Sequence, residues 1–431
     1  MPGRYENTRG IGKIVFQVKK IGIASGILAL ITALTALPTI APAQLVIGQY
    51  EQEAPLRTWN TFGFERASAL GRGGASFTLA EDCSTALVNP ALPTDLPGIT
   101  LTINGASNSA SLFKYSLVNT GVLSTEGNLS LNSLALDFGG VSIQAGDWAF
   151  SLGAALNEIY DRPGVNYEYS SQGRLTYALD FAQSGFLRNI NFSIARRFGS
   201  LFKAGLGINY AAGELDRETA EEYPQTGITI SDRKEHDFSG IYVNGGIAVA
   251  LSPRFDLALV FRTPYIKKSD SRSEIRYTAP SGGTDIRIEA ESSDRYKQPL
   301  AVGLGVRYRI STQFQFLADL AYFNWSKYEV EYFGETLERN FKDTIKAGAG
   351  AEYALLLDFF GAPASLPIRF GLGYDPQPMK DPGSAYTYYS AGTGLHWRMI
   401  VLDVGASFGQ ENGSGHSLSA RRVAISLSLR L

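Results

Sequence analysis

The sequence predicts an all-β fold: a transmembrane antiparallel β-barrel of about 14 strands carrying an N-terminal plug, or hatch. Three observations carry this reading. Apolar and polar residues alternate in segments that recur from about residue 99 to Leu431, the period at which a strand sends successive side chains to opposite faces. Short and long connections alternate between those segments, as periplasmic turns and extracellular loops do in bacterial barrels. The composition joins 46 glycines, 22 tyrosines and 24 phenylalanines to 3 methionines, 3 histidines and 1 cysteine, a balance that suits close-packed strands with aromatic girdles.

The chain opens on an export signal. Arg4, Arg9, Lys13, Lys19 and Lys20 supply a positive start, Ile21 to Ile40 is apolar, and Ala41-Pro42-Ala43 is a small-x-small cleavage site before Gln44. The apolar run exceeds the usual core of about 7 to 15 residues, so an uncleaved anchor is the alternative. Loss of residues 1–43 moves the formal net charge from −2 to −6, a mild acidity without a nucleic-acid footprint. No later stretch reaches the roughly 18 to 20 apolar residues of a membrane helix. A mature chain that spans a membrane must therefore close a barrel, the non-helical structure that pairs every backbone N–H and C=O in hydrocarbon.

Residues 44–98 do not alternate. Phe62 to Asn89 mixes glycines, small residues and a short apolar run, and reads as a compact plug for a lumen that needs filling or gating. A loose periplasmic tail is the other reading. Cys83 stands alone, which excludes an internal disulfide and a cysteine zinc cluster and leaves buried packing as its role.

Residues 99–431 read as the barrel, with strands starting near 99, 132, 147, 189, 202, 238, 254, 297, 313, 341, 366, 385, 399 and 420. The last strand is the clearest: Val423, Ile425, Leu427, Leu429 and Leu431 share one face, and Arg422, Ala424, Ser426, Ser428 and Arg430 the other. Phe255, Leu257, Leu259 and Phe261 repeat the code against Arg254, Asp256 and Arg262. The connections near 107–131, 160–188, 213–237, 266–296, 331–340, 376–384 and 410–419 are expected outside the cell, and those around Gly146, Gly199, Pro253, Thr312 and Arg398 in the periplasm, with Ala354 to Ala364 the longest of the second set.

Ala69-Leu70-Gly71-Arg72-Gly73-Gly74-Ala75, Ala80-Glu81-Asp82 and Asn89-Pro90-Ala91-Leu92 resemble the hatch of the FadL/TodX family of outer-membrane transporters for long-chain fatty acids and other hydrophobic compounds. The resemblance continues through Trp325-Ser326-Lys327-Tyr328, Phe341-Lys342-Asp343, Ile368 to Asp375 and Ser390 to Gly394, and closes at Leu402-Asp403-Val404-Gly405-Ala406. It implies a 14-stranded barrel with an N-terminal hatch, an apolar pocket, and passive release through a lateral gap in the wall. By the same resemblance Asn89, Pro90 and Ala91 stand beside that gap, which a kink in the third strand opens. The third strand here, Trp148 to Ile159, has Gly153 and Asn157 but no Asn-x-Gly motif, and the chain ends on Leu431 where such barrels usually end on an aromatic.

One strand adds evidence that is independent of the resemblance. If Phe314, Phe316, Ala318, Leu320 and Tyr322 face lipid, then Leu317, Phe323 and Trp325 face the lumen, where a water-filled porin carries polar residues. Leu317, Phe323 and Trp325 are the candidate substrate-binding residues, and packing against the plug is the alternative. Asn89-Pro90 sets a turn, because the residue before proline avoids the α region, and Glu81-Asp82 balances charge nearby. Asn89, Pro90, Ala91, Gly153 and Asn157 are the candidate gating residues.

Catalysis finds little support: His236, His396 and His416 read as surface residues at loops or turns, and no metal spacing or dinucleotide fingerprint occurs. No cofactor is expected. Asp216-Arg217-Glu218 and the basic set Lys267, Lys268, Arg272 and Arg276 fall in expected external loops. There they either stay solvated, bind lipopolysaccharide, or steer a carboxylate to the mouth over a Debye length of about 8 to 10 Å. The sequence thus predicts a monomer of the cell outer membrane whose partners are a hydrophobic ligand, lipid and lipopolysaccharide, with no nucleic acid. A secretion or assembly barrel and a general porin are the rival functions.

Overall fold

The computed structural model describes residues 62, 64–118, 124–160, 162–171, 173–278, 285–332, 334–338, 341–380, 383–413 and 419–431. The expected signal peptide with its cleavage site, residues 44–61 and His416 lie outside the described residues.

From Ile99 onward, alternation becomes one antiparallel sheet of nineteen segments. In chain order these are β1 Ile99–Val118, β2 Ser124–Ala145, β3 Trp148–Ile159, β4 Arg162–Ser171, β5 Arg174–Phe198, β6 Phe202–Tyr223 and β7 Ile228–Ser252. There follow β8 Phe255–Arg262, β9 Tyr265–Thr278, β10 Ile286–Gln298, β11 Ala301–Arg309, β12 Phe314–Phe323, β13 Glu329–Tyr332 and β14 Glu335–Glu338. The last are β15 Thr344–Phe359, β16 Ala362–Pro376, β17 Ala385–Trp397, β18 Ile400–Asn412 and β19 Ser419–Arg430. β1 pairs with β2 on one side and with β19 on the other, from Thr100↔Arg430 to Ala110↔Ala420, so the sheet closes on itself. Closure removes free edges from the wall, the condition for a sheet in hydrocarbon. Segments that share a neighbour continue one wall strand: β3 with β4 against β5, and β8 with β9 against β7. β10 and β11, β12 and β13, and β14 and β15 join in the same way, so the barrel has the 14 strands expected.

The dyad code sorts the two faces. Val423, Ile425 and Leu427 of β19 are 43–51% exposed on the outside, while Arg422, Ala424, Ser426 and Ser428 are buried inside. At the seam Leu431 N–H donates to Ile99 O at 2.7 Å and Ile99 N–H to Leu431 O at 3.0 Å. Gly98, at φ +45°, lies so close to the Leu431 carbonyl that a Cβ there would overlap it.

Five of the expected external loops are strand over most of their described residues. Within 107–131, 160–188, 213–237, 266–296 and 331–340 the chain runs as paired hairpins: β1 on β2 up to Val118↔Ser124, β4 on β5, β6 on β7 up to Tyr223↔Ile228, β9 on β10 up to Tyr277↔Ile286, and β13 on β14 up to Tyr332↔Glu335. The starts expected near 132, 189, 238 and 297 fall inside β2, β5, β7 and β10 for this reason. A ladder needs only a neighbouring backbone, and where the outer face meets water in place of lipid the apolar half of the code is lost while pairing persists. The expected turn from Ala354 to Ala364 is likewise strand on both sides of Phe360 and Gly361, whose φ values are 50° and 70°.

Leu431 keeps the outward register and is 54% exposed, without a ring. Leu431→Phe should raise the folded, inserted fraction, measured as heat-modifiable barrel on a gel; an unchanged fraction would show that alternation suffices for assembly.

Candidate functional site

The chain before β1 has no strand among its described residues. It forms α1 (Ala67–Leu70), α2 (Thr85–Val88) and a 3-10 turn at Leu92–Asp95, most of it buried. It packs on inward faces around the wall: α1 against β17, β18 and β19, and the 3-10 turn against β2, β3, β5 and β6. Where its backbone presses on the wall the strands carry glycine. A Cβ on Gly350 or Gly371 would overlap Arg72, one on Gly405 would overlap Ala67, and one on Gly205 would overlap Pro90.

On the β15 to β18 side the hold is ionic. Glu81 takes both terminal nitrogens of Arg72 at 2.5 and 2.8 Å and Arg66 Nε at 3.1 Å. Glu352 of β15 accepts from Arg72 and from Arg369 of β16, each at 2.6 Å, and Arg369 reaches Asp403 of β18 at 2.6 Å. Three guanidiniums thus meet three carboxylates, and all six side chains are at most 11% exposed. Burial pushes the Glu81 carboxyl up, and Arg72, Arg369 and Arg66 override it, holding it well below the usual carboxylate range. The same burial raises the Cys83 thiol to about 12, consistent with a protonated packing group.

On other sides the hold is neutral or single. Asp319 Oδ2 of β12 accepts Ser76 N–H at 2.5 Å and Phe77 N–H at 2.8 Å. Asn244 Nδ2 of β7 donates to Ala86 O at 2.9 Å, backed by buried Asn209 and Asn191.

Beyond this segment, toward the long hairpins, the lumen is aromatic. Phe62 and Phe77 begin a buried cluster that takes in Tyr160, Phe238, Tyr242, Tyr296, Phe323, Trp325, Tyr328 and Phe341. Breaks in the wall deliver several of these rings. The third wall strand is interrupted between Ile159 and Arg162 at Tyr160, and the ninth between β12 and β13 by a 3-10 turn, Trp325–Lys327. Two other breaks fall at Pro264 and Pro299, which have no N–H for a ladder. A cavity of about 40 Å³ separates Phe62 and Phe77 from Asp319 and Lys346, room for a few waters and not for a hydrophobic molecule.

Phe323 and Trp325, 1% and 6% exposed, both lie in this cluster, Trp325 in the 3-10 turn and not in a strand. Leu317 is buried lower on β12, level with Arg307 and Gly350, and stands outside the cluster. Asn89 and Pro90 face Gly246 and Gly205, on β7 and β6; Asn89 Nδ2 donates to Phe77 O at 2.7 Å and its Oδ1 accepts Ala91 N–H at 3.0 Å. Gly153 packs on Phe138, and Asn157 forms a bulge, since Leu156 and Glu158 pair with the adjacent Arg188 and Leu187. The third strand is therefore irregular without the Asn-x-Gly motif.

Two expectations need correction. His236 is not a surface residue: it is 7% exposed, stacks on Phe238 and has Nδ1 2.8 Å from Ser271 Oγ. Lys267 is not at the surface of an external loop either. It lies on β9 with 2% of its side chain exposed and its ammonium among the rings, while Lys268, Arg272 and Arg276 stay outside. Strand period explains both, because every second residue of a paired hairpin turns inward. Tyr160, Phe238 and Tyr296 escaped the sequence reading for the same reason, and the alternation of Lys267, Ser269, Ser271 and Ser273 was the available signal.

A closed antiparallel barrel with an apolar outer face, holding its own N-terminal segment and an aromatic lumen, defines an outer-membrane channel protein with an obstructed bore. The chain matches the family model described as Outer membrane protein transport protein (OMPP1/FadL/TodX) over residues 58–416, and it belongs to that family. Its fold resembles a Pseudomonas aeruginosa FadL homologue, with TM-score 0.61 and 14% identity over 85% of this chain and 99% of that one. It also resembles the Ralstonia pickettii toluene transporter TbuX, with TM-score 0.57 and 15% identity over 87% and 100% of the two chains. The Pseudomonas putida toluene transporter TodX superposes with TM-score 0.60 and 13% identity over 86% and 99%. No curated protein matches the chain by sequence.

A carboxyl held low contributes stability that is complete above its unfolded value and lost only as pH falls through the lowered one. For Glu81 that window lies below the ordinary 4.5, so hydrogen-exchange protection of residues 66–82 should be the same at pH 7 and pH 5. Glu81→Gln should weaken it at both, since stripping a partner from a buried ion cluster costs about 3–5 kcal/mol.

Proposed function

We propose that the protein carries hydrophobic small molecules across the outer membrane by passive diffusion, with long-chain fatty acids as the substrate class, as a monomer and without a cofactor. The observation that carries this reading is the aromatic lumen: Phe323, Trp325 and the rings around them occupy the position that polar residues and water hold in a porin. Solved structures of the same fold include toluene transporters and a FadL homologue, which supports a hydrophobic cargo.

The route follows from the packing. Residues 1–43 act as a cleaved signal, the long hairpins capture the ligand at the outer surface, and the rings take it up by burial of apolar area at about 25 cal/mol per Å². Residues 62–92 act as the plug. The adjoining cavity of about 40 Å³ admits no such ligand, so passage requires the plug to shift, with Asn89-Pro90-Ala91 as the element that moves. The bulge at Asn157 and the break after Ile159 support release sideways through the third wall strand.

In cells that depend on this protein, the double change Phe323→Ser and Trp325→Ser should reduce uptake of a hydrophobic substrate at least about tenfold while the protein still migrates as a folded barrel. Unchanged uptake would rule the pocket out. The general-porin rival forecasts a large, ohmic, permanently open conductance in a planar bilayer; wild-type protein should show none.

A further inference from the structure

Lys268 of β9 and Arg295 of β10 stand directly opposite each other on the outward face of the wall, and both are exposed. Like charges placed in this way destabilise a ladder. Among the described residues neither side chain has an ion pair or a hydrogen bond that would offset the repulsion. Lys297 follows on the same face of β10 and comes no nearer than 3.8 Å to Glu329 Oε2. Arg272 and Arg276, farther out on β9, are by contrast paired with Glu291 and Glu274.

Neighbouring strands fix the height of these cations. The row that holds Lys268 runs through Ser239 and Ala212 to Arg188 of β5. One step away from the hairpin tips, the outward residues of the four strands are Ile266, Ile241, Tyr210 and Ile190, where the lipid-facing apolar surface ends. One step toward the tips they are Asp270, Asp237, Glu214 and Phe186. The basic groups therefore sit at the margin of the hydrocarbon, and the acids above them bar an anion from a higher seat. Arg188 keeps to the same margin, its guanidinium 4.5 Å from the Phe186 ring centroid.

A molecule that fits this row brings phosphate to the level at which its acyl chains begin, and does so at two points. Lys268 and Arg295 are neighbours in the ladder, and Arg188 lies three strand spacings, about 14 Å, from Lys268. A phospholipid of the diacylglycerol type offers one phosphate. Lipid A, the anchor of lipopolysaccharide, is an acylated disaccharide with a phosphate on each sugar, and guanidinium and ammonium groups are the side chains that bind phosphate.

We propose that this row is a lipopolysaccharide-binding surface: Lys268 and Arg295, with Lys297 beside them, hold one phosphate of lipid A and Arg188 the other, while the acyl chains lie over Ile241, Tyr210 and Ile190. The shared phosphate gives the two opposed cations a common counter-ion and removes their repulsion. The contact is independent of the cargo in the bore, and it sets the depth at which the barrel stands in the outer leaflet.

The test uses protein folded in detergent and titrated with lipid A, monophosphoryl lipid A or dioleoylphosphatidylglycerol, with bound lipid read by native mass spectrometry. Each variant is first checked as heat-modifiable barrel on a gel, and the single change Lys268→Gln replaces the double one if the latter folds poorly. Wild type should bind lipid A roughly ten- to a hundredfold more tightly than Lys268→Gln/Arg295→Gln, the range of a hydrogen bond to a charged group. The control Arg272→Gln/Arg276→Gln, with the same loss of net charge, should bind as wild type does. Arg188→Gln should bind the bisphosphorylated and monophosphoryl forms alike, whereas wild type prefers the first. Wild-type affinity in the Lys268 variants, an equal loss in the control, or a preference for two phosphates that survives Arg188→Gln overturns the proposal. Wild type that holds phosphatidylglycerol as tightly as lipid A overturns it as well.

Discussion

Hydrocarbon offers no partner to a backbone N–H or C=O, and that constraint organises this molecule. It forces the sheet to close between β1 and β19. Closure at 14 strands creates a bore too wide for wall side chains to fill, and the bore must then be filled by something else. The chain fills it with its own N-terminal segment, and close packing of backbone on backbone explains glycines at 205, 350, 371 and 405 on the wall. Ions, an asparagine cluster and an aromatic layer are successive answers to the question of what belongs inside.

Those answers differ in kind from one part of the lumen to another. Around Glu81 the polar groups pair with one another, and three arginines with three acids hold the segment against β15, β16 and β18. Around Phe323 and Trp325 the contacts are apolar and run from ring to ring. The lining of the bore thus changes from charge to aromatic ring along its length.

Much of this was legible in the sequence, because a wall in lipid must write its faces in period two. Val423 to Leu431 and Phe255 to Phe261 declared themselves that way, and the same period led to Phe323. Beyond the membrane the code has no apolar face to mark it, so the hairpins of β4–β5, β6–β7 and β9–β10 read as loops, and Lys267 and His236 read as solvated. Charge alone could not separate a lysine in water from one that points into a closed bore. The wall side of the Glu81 cluster was invisible for another reason: Arg369, which donates to Glu81, and Asp403, which Arg369 also holds, lie about 290 and 320 residues away along the chain, and only the closed sheet brings them together.

Gly98 joins the plug to the barrel, and it does so at the seam, under the carbonyl of Leu431. Ile99 and Leu431 therefore clamp the backbone that links residues 64–98 to the wall. Without the pairing of β1 with β19 the sheet would be an open trough around that segment. With Leu431 paired to Ile99, the same hydrogen bonds that close the wall also fix the base of what lies inside it.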